Sequence, residues 1–203
     1  METLLPPHVL ADLRRRHAEP QRHYHTWAHV RALLDWLDRV RGDLADADAV
    51  ELAVLYHDAV YDPRATDNEA RSAELLLADL AGHVAPSRLA RARAMILATA
   101  RHEPVATDDA GLASDGLAND AAHFLDMDLS ILGAEPAAFD AYEAAIRREY
   151  AFVSEIDYRR GRSAVLRAFL ARDRLFLTDR FHTALDTPAR ANLRRSLDRL
   201  AAD

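Results

Sequence analysis

The spacing of apolar residues constrains the fold of this chain more than any other feature. Apolar side chains recur at intervals of three and four positions along almost the whole sequence, which is the period of one helical face. Alanine and leucine abound, β-branched residues are scarce, and only 6 residues are glycine. The pattern predicts an all-α protein. With 203 residues, we expect a single domain, spanning 1–203, with a substantial core.

The periodic segments predict ten helices. They span residues 6–18, 25–41, 47–60, 67–81, 86–102, 118–132, 136–151, 157–171, 178–185 and 188–201. Gly82 and Gly133 are predicted C′ glycines, and Thr187 and Pro188 are predicted to be the N-cap and first residue of the last helix. The one long predicted loop, 103–119, is rich in Asp and small residues, which suits a surface segment near a site.

Composition excludes several classes of function. The net charge of −7 argues against a nucleic-acid-binding or anionic-membrane-binding surface. The chain has no cysteine, so any metal must be bound by histidines and carboxylates. Neither a signal-peptide apolar region nor a membrane-length apolar run is present in the sequence, and a cytoplasmic location is therefore expected.

The segment LAVLYHDAVYDP is apolar almost throughout, yet it contains His57 and Asp58. On a helical wheel His57 falls near the centre of an apolar stripe formed with Val50 and Val54, and Asp58 lies at the edge of that stripe. A carboxylate buried without a partner costs several kcal/mol or shifts its pKa. The wheel therefore indicates that Asp58 has a specific partner.

Two other predicted helices also direct polar groups inward. His29 flanks the core stripe of YHTWAHVRALLDWL, and Asp128 lies among the apolar residues of FLDMDLSILG. Asp126 projects about 160° away from Asp128, so it is predicted to be a surface charge. Taken singly, each group has a plain structural explanation: a hydrogen-bonded core histidine, or a carboxylate in a cap or salt bridge. Because three helices turn such groups inward, we favour the interpretation that the groups bind one common ion.

Together these residues predict a metal site. The imidazoles of His29 and His57 and the carboxylates of Asp58 and Asp128 could surround one divalent cation. Nitrogen and oxygen ligands suit Mn, Mg, Fe, Ni, Co and Zn, and ligand type alone does not choose among them.

The order His, His-Asp, Asp resembles the HD-domain superfamily of metal-dependent phosphohydrolases. The sequence is most similar to a predicted bacterial branch of comparable length. The similarity is carried by YHTWAHV, LAVLYHDAVYDP, TDNEARSA, FLDMDLSILGA, AYEAAIRREY and ARANL, and so covers nearly the whole chain. The resemblance implies an HD-domain-like helical bundle with metal ligands at His29, His57, Asp58 and Asp128. It also implies hydrolysis of a phosphomonoester or phosphodiester, with nucleotides among the candidate substrates.

Further residues have candidate roles around that site. Glu69 is expected in the first turn of a helix, where it would accept a proton or orient a ligand; the alternative is an acid favoured at a helix N-terminus. His102 is a candidate for catalysis, phosphate binding or a second metal, or else a histidine favoured at a helix C-terminus. His25 could orient the site or the substrate, or be an exposed histidine.

Arg147 and Arg162 are candidates for gripping a phosphate with their guanidinium groups, although most arginines on such a protein are solvated or ion-paired. The sequence has no glycine-rich phosphate loop and no GxSxG elbow. The resemblance implies a metal-dependent phosphohydrolase acting on a small phosphorylated substrate, with a homodimer as a compatible state. Two alternatives stay open: a non-catalytic metal- or ligand-binding regulatory module, and an oxygenase with two irons, which needs more histidine ligands.

Overall fold

The computed structural model describes residues 5–103 and 116–202. The regular secondary structure of these residues is helical and includes no strand, which confirms the all-α prediction. The α-helices are α1 (Pro7–Arg16), α2 (Trp27–Val40), α3 (Ala47–Tyr56), α4 (Asn68–Leu80), α5 (Pro86–Ala98), α6 (Leu117–Asp128), α7 (Pro136–Glu149), α8 (Glu155–Leu170) and α9 (Asp179–Ala202). Two 3₁₀ segments, Arg41–Asp43 and Leu129–Gly133, follow α2 and α6.

The chain divides into two compact units between Met127 and Asp128. That division falls in the last turn of α6, so Asp128 is carried by a helix whose other residues all belong to the first unit. Prolines at the first helical position start α1, α5 and α7, where the missing N–H is not needed. A single domain over 1–203 stays a prediction.

Helix α3 is the central element of the first unit. It packs against α2, α4 and α5, and all its residues from Ala49 to Tyr56 except Glu51 are buried. The start of α3 is held by Asp120 of α6, which is fully buried and accepts hydrogen bonds from the Ala45 N–H (2.8 Å) and the Asp46 N–H (2.9 Å). These bonds fix α3 and α6 relative to each other, and each of these helices leads to a predicted metal ligand.

Three helix ends in the first unit refine the sequence prediction. Gly82 has φ +77° just after α4, which confirms it as a C′ glycine. Helix α3 ends at Tyr56 rather than 60, so His57 is its C-cap. Helix α5 ends at Ala98 rather than 102. There Thr99 donates its hydroxyl to Ile96 O (2.7 Å), a local bond that competes with continued helix.

In the second unit, α9 packs against α8 and the 3₁₀ segment Leu129–Gly133. The prediction that Gly133 is a C′ glycine is wrong, since its φ is not positive. Glycine is needed there because a Cβ would lie 2.7 Å from Leu185 Cβ and 2.9 Å from Leu185 O. Asn192 of α9 donates to Leu132 O (2.9 Å) and Ala134 O (2.8 Å) and so closes the same contact.

The prediction of two helices separated at Thr187 and Pro188 is also wrong. Helix α9 runs from Asp179 to Ala202 with Pro188 inside it. An interior proline removes one hydrogen bond and costs about 3 kcal/mol. Buried residues lie on both sides of it, with Phe181 before and Leu193 after, so packing of both halves offsets that cost.

Most of the predicted loop 103–119 lies outside the described residues. Its last residues, 117–119, instead form the first turn of α6. Within the ranges that the structure covers, no helix combines the length and apolar character needed to cross a membrane.

Candidate metal centre

Three side chains from separate helices of the chain converge on one point. His29 is in the first turn of α2, His57 is the C-cap of α3, and Asp128 is the last residue of α6. One ligand atom from each of these residues lies within 4.8 Å of the other two. Both histidines are buried and Asp128 is half-buried. This cluster could hold a metal ion.

Asp58 brings a second carboxylate to the same pair of histidines. The Nε2 atoms of His29 and His57 lie 3.1 Å apart. Asp58 Oδ2 lies 3.0 Å from His57 Nε2 and 3.7 Å from His29 Nε2. Its side chain is 19% exposed, so the carboxylate lies at the edge of the buried histidine pair.

Two of the distances, 3.1 Å between the histidine Nε2 atoms and 3.0 Å from His57 Nε2 to Asp58 Oδ2, fit ligands of one cation. Nitrogen and oxygen ligands at about 2.0–2.2 Å from an ion lie roughly 3.0–3.5 Å from one another in octahedral or tetrahedral geometry. His57 Nδ1 lies 3.0 Å from Val54 O. When Nδ1 donates its proton to that carbonyl, the lone pair of His57 is on Nε2, the atom that faces His29 and Asp58. The donor set therefore suits a divalent ion.

The charge state of Asp58 supports the same conclusion. Burial raises the pKa of its carboxyl, but interactions with His57, His25 and His29 outweigh this and hold that pKa well below its usual range. The side chain is therefore an anion at neutral pH, which is the form that binds a cation.

Helix α6 brings Asp128 to the histidines through an aromatic contact one turn earlier. Phe124 is fully buried, and its ring lies edge-on to His57 with ring centroids 5.7 Å apart. Residues four apart share a helix face, so Asp128 projects on the side that Phe124 occupies. Packing of the apolar face thus sets the direction of the carboxylate.

The prediction for the two carboxylates of FLDMDLSILG is correct in part. Asp128 is the one that joins the cluster, as the wheel indicated. Asp126, predicted to be a surface charge, is 1% exposed, so that prediction is wrong. The reason is that α6 is buried on nearly all sides at this point: every residue from His123 to Met127 is buried. A wheel gives the direction of a side chain but does not tell what lies in that direction.

His25 is close to this cluster and is held by aromatic neighbours. Its ring stacks on Tyr61 with centroids 4.2 Å apart and lies edge-on to His29 at 6.1 Å. Tyr24 packs against His29 at 4.8 Å. Neither Tyr24 nor Tyr61 was predicted from the sequence to be a site residue. The available signal was their position in the sequence, since Tyr24 is next to His25 and Tyr61 follows His57 by four positions.

Two predicted catalytic residues are not among the three converging ligands. Glu69 is half-buried in the first turn of α4, as predicted. His102 lies four residues beyond the end of α5, is half-buried, and has φ +49°. It therefore does not end a helix, contrary to the prediction. Catalytic roles for both residues stay predictions.

The predicted phosphate-binding arginines lie in the second unit and have protein partners there. Arg147 pairs with Glu155 (3.0 Å), donates to Tyr150 O (2.8 Å) and lies over the ring of Tyr158. Arg162 pairs with Glu143 and donates to the Tyr142 hydroxyl (2.8 Å). These contacts give both guanidinium groups a structural role. Binding of a substrate by either arginine stays a prediction.

The chain was compared with protein-family models, curated proteins and solved structures, and none of them matches it.

Proposed function

We propose that this protein is a metal-dependent phosphohydrolase with an HD-domain-like helical bundle. The observation that carries the proposal is the convergence of His29, His57 and Asp128, with Asp58 in contact with both histidines. These residues occur in the order His, His-Asp, Asp that the resemblance to the HD-domain superfamily rests on. The proposed substrate is a small phosphate ester, a phosphomonoester or phosphodiester, with nucleotides among the candidates.

The four proposed ligands differ in charge. His29 and His57 offer neutral nitrogens, and Asp58 and Asp128 offer anionic oxygens, so the set can neutralise a divalent charge. A divalent ion supplies Lewis acidity toward a phosphoryl oxygen and toward water. His29, His57, Asp58 and Asp128 would hold the ion, and a substrate oxygen and a water would bind to it beside them.

Proton transfer is assigned to groups around the ligands. His25 is held beside the cluster by its stack on Tyr61, and it is the proposed contact for a bound phosphate. Glu69 and His102 are the other candidates for moving a proton, and Arg147 and Arg162 for binding the substrate phosphate. Their contributions rank below that of Asp58, which is both anionic and in contact with the two histidines.

The proposal is tested with metal-reconstituted protein and a panel of nucleotides and other phosphate esters. Asp58→Ala should lose turnover and lower the metal content, because it removes an anionic ligand. Asp35→Ala, an exposed carboxylate on α2, is the matched control and should keep both. Wild-type turnover in Asp58→Ala would refute the proposal of a metal-dependent hydrolase. Metal binding without turnover of any ester would instead favour a metal-binding regulatory module.

A further inference from the structure

A buried arginine connects the backbone of Asp58 with that of His25. Arg22 lies in the segment between α1 and α2, and its side chain is 0% exposed. One guanidinium nitrogen, Nη1, donates to Asp58 O (2.6 Å) and His25 O (3.1 Å). The other, Nη2, donates to Ala59 O (3.1 Å).

The remaining contacts of Arg22 fix the plane of the guanidinium. Its Nε donates to Glu19 Oε2 (3.2 Å), and its Cζ lies 5.4 Å from the ring centroid of Tyr61. The planar, five-donor guanidinium can serve several acceptors at once in a fixed geometry, which a lysine ammonium cannot. Arg22 is therefore a rigid junction between two loop segments.

The backbone that carries Asp58 needs such support because it lies outside a helix. Helix α3 ends at Tyr56, and the carbonyls that follow a helix end have no partner within the helix. Arg22 supplies donors to two of them, at Asp58 and Ala59. On the other side, Ser72 of α4 accepts from the Val60 N–H (3.0 Å). The direction of the Asp58 carboxylate thus depends on the hydrogen bonds from Arg22 and to Ser72.

We propose that Arg22 is a positioning residue for the metal centre: by holding the carbonyls of Asp58, Ala59 and His25, it sets the Asp58 carboxylate against His29 and His57. The inference rests on the proposed metal site. Arg22 donates to backbone carbonyls and to Glu19, and it acts on the site through the backbone of Asp58.

The direction of the change in metal affinity distinguishes a positioning role of Arg22 from a role of its positive charge alone. If Arg22 acted only through its positive charge, removing that charge would tighten the binding of a cation, because like charges repel. If it positions Asp58, removing its donors weakens binding even though a like charge is lost. Groups that orient metal ligands typically change metal affinity by about 10–100-fold.

The experiment is a titration of metal-free protein with Co²⁺, whose visible absorption reports the ligand geometry. The variants are Arg22→Gln, which removes the charge and most donors, and Arg22→Lys, which keeps the charge and loses the fork. The matched control is Arg190→Lys. Arg190 has the same pattern in the second unit, donating to Leu170 O (3.1 Å), to Arg172 O (2.8 Å) and to a carboxylate.

We expect Co²⁺ affinity to fall about 10–100-fold in Arg22→Lys and Arg22→Gln, with a changed absorption spectrum. Arg190→Lys should keep the affinity and spectrum of the wild type. If Arg22→Gln does not fold by circular dichroism, Arg22→Lys alone decides. Wild-type or tighter affinity in Arg22→Lys overturns the positioning role, and an equal loss in Arg190→Lys does so as well. Failure of the wild type to bind Co²⁺ overturns the metal site itself.

Discussion

His17 makes the stability of the first unit depend on pH. The residue is 2% exposed; its Nδ1 lies 2.9 Å from Leu13 O, and its buried Nε2 has no hydrogen-bond partner. Its ring also packs edge-on against Trp27, with centroids 5.6 Å apart. Burial in this setting lowers the pKa of His17 from 6.5 to about 4. The perturbation to apply is therefore acidification from neutral pH.

The size of the pH effect on the free energy of unfolding follows from the difference between the pKa of His17 in the unfolded and the folded chain. The unfolded chain takes up a proton at His17 near pH 6.5, whereas the folded protein does so only near pH 4. The stabilising contribution is thus full above about pH 6.5 and is lost as the pH falls toward the folded pKa. The slope between these values is about 1.4 kcal/mol per pH unit, so His17 lowers the free energy of unfolding by about 2 kcal/mol at about pH 5.

The assay is urea unfolding of three proteins between about pH 5 and about pH 7.5, a range in which most carboxylates stay ionised. In His17→Asn the amide can still donate to Leu13 O but cannot titrate. Between about pH 7.5 and about pH 5, its free energy of unfolding should fall by about 2 kcal/mol less than that of the wild type. His8→Asn, an exposed position on α1, is the control and should follow the wild type. Parallel curves for wild type and His17→Asn would refute the reasoning.

Two other predictions concern α6 and Gly133. Asp128→Asn should lose metal and turnover. Asp126→Asn should keep both but lower the free energy of unfolding by about 1–3 kcal/mol, because Asp126 is buried. Metal analysis and urea unfolding check this, and metal loss only in Asp126→Asn would contradict it. Gly133→Ala should destabilise by about 1–3 kcal/mol, since its Cβ would meet Leu185, while Gly42→Ala, which has open space, should not. Equal unfolding midpoints for the two alanine variants would show that the contact relaxes.

Much of the first unit and the three converging side chains were predictable because their signals are local and periodic. The apolar run before His57 predicts a buried helix, and the structure places that helix at the centre of the unit. Gly82 marks a helix end by its need for positive φ, which is a property of one residue. His29, His57 and Asp128 were predicted to point inward from helical direction alone, and they do converge.

The features that sequence reasoning missed depend on contacts between distant segments. The burial of Asp126 depends on what packs against α6, and the need for glycine at position 133 depends on Leu185. Arg22 lies in a loop, where no periodicity separates a buried arginine from a solvated one, and its acceptors at Asp58 and Ala59 are 36 and 37 positions away. Such contacts become visible only when the fold brings the segments together.

The central claim is that the histidine pair and the two carboxylates bind one divalent ion. X-ray absorption of the protein loaded with one equivalent of Zn²⁺ tests it most directly, because the spectrum reports the atoms that surround the metal. We predict scattering from two imidazoles at about 2.0–2.1 Å, with the remaining first-sphere ligands oxygen, and loss of one imidazole in His57→Ala. A spectrum without imidazole scattering, or one that is unchanged in His57→Ala, would contradict the account.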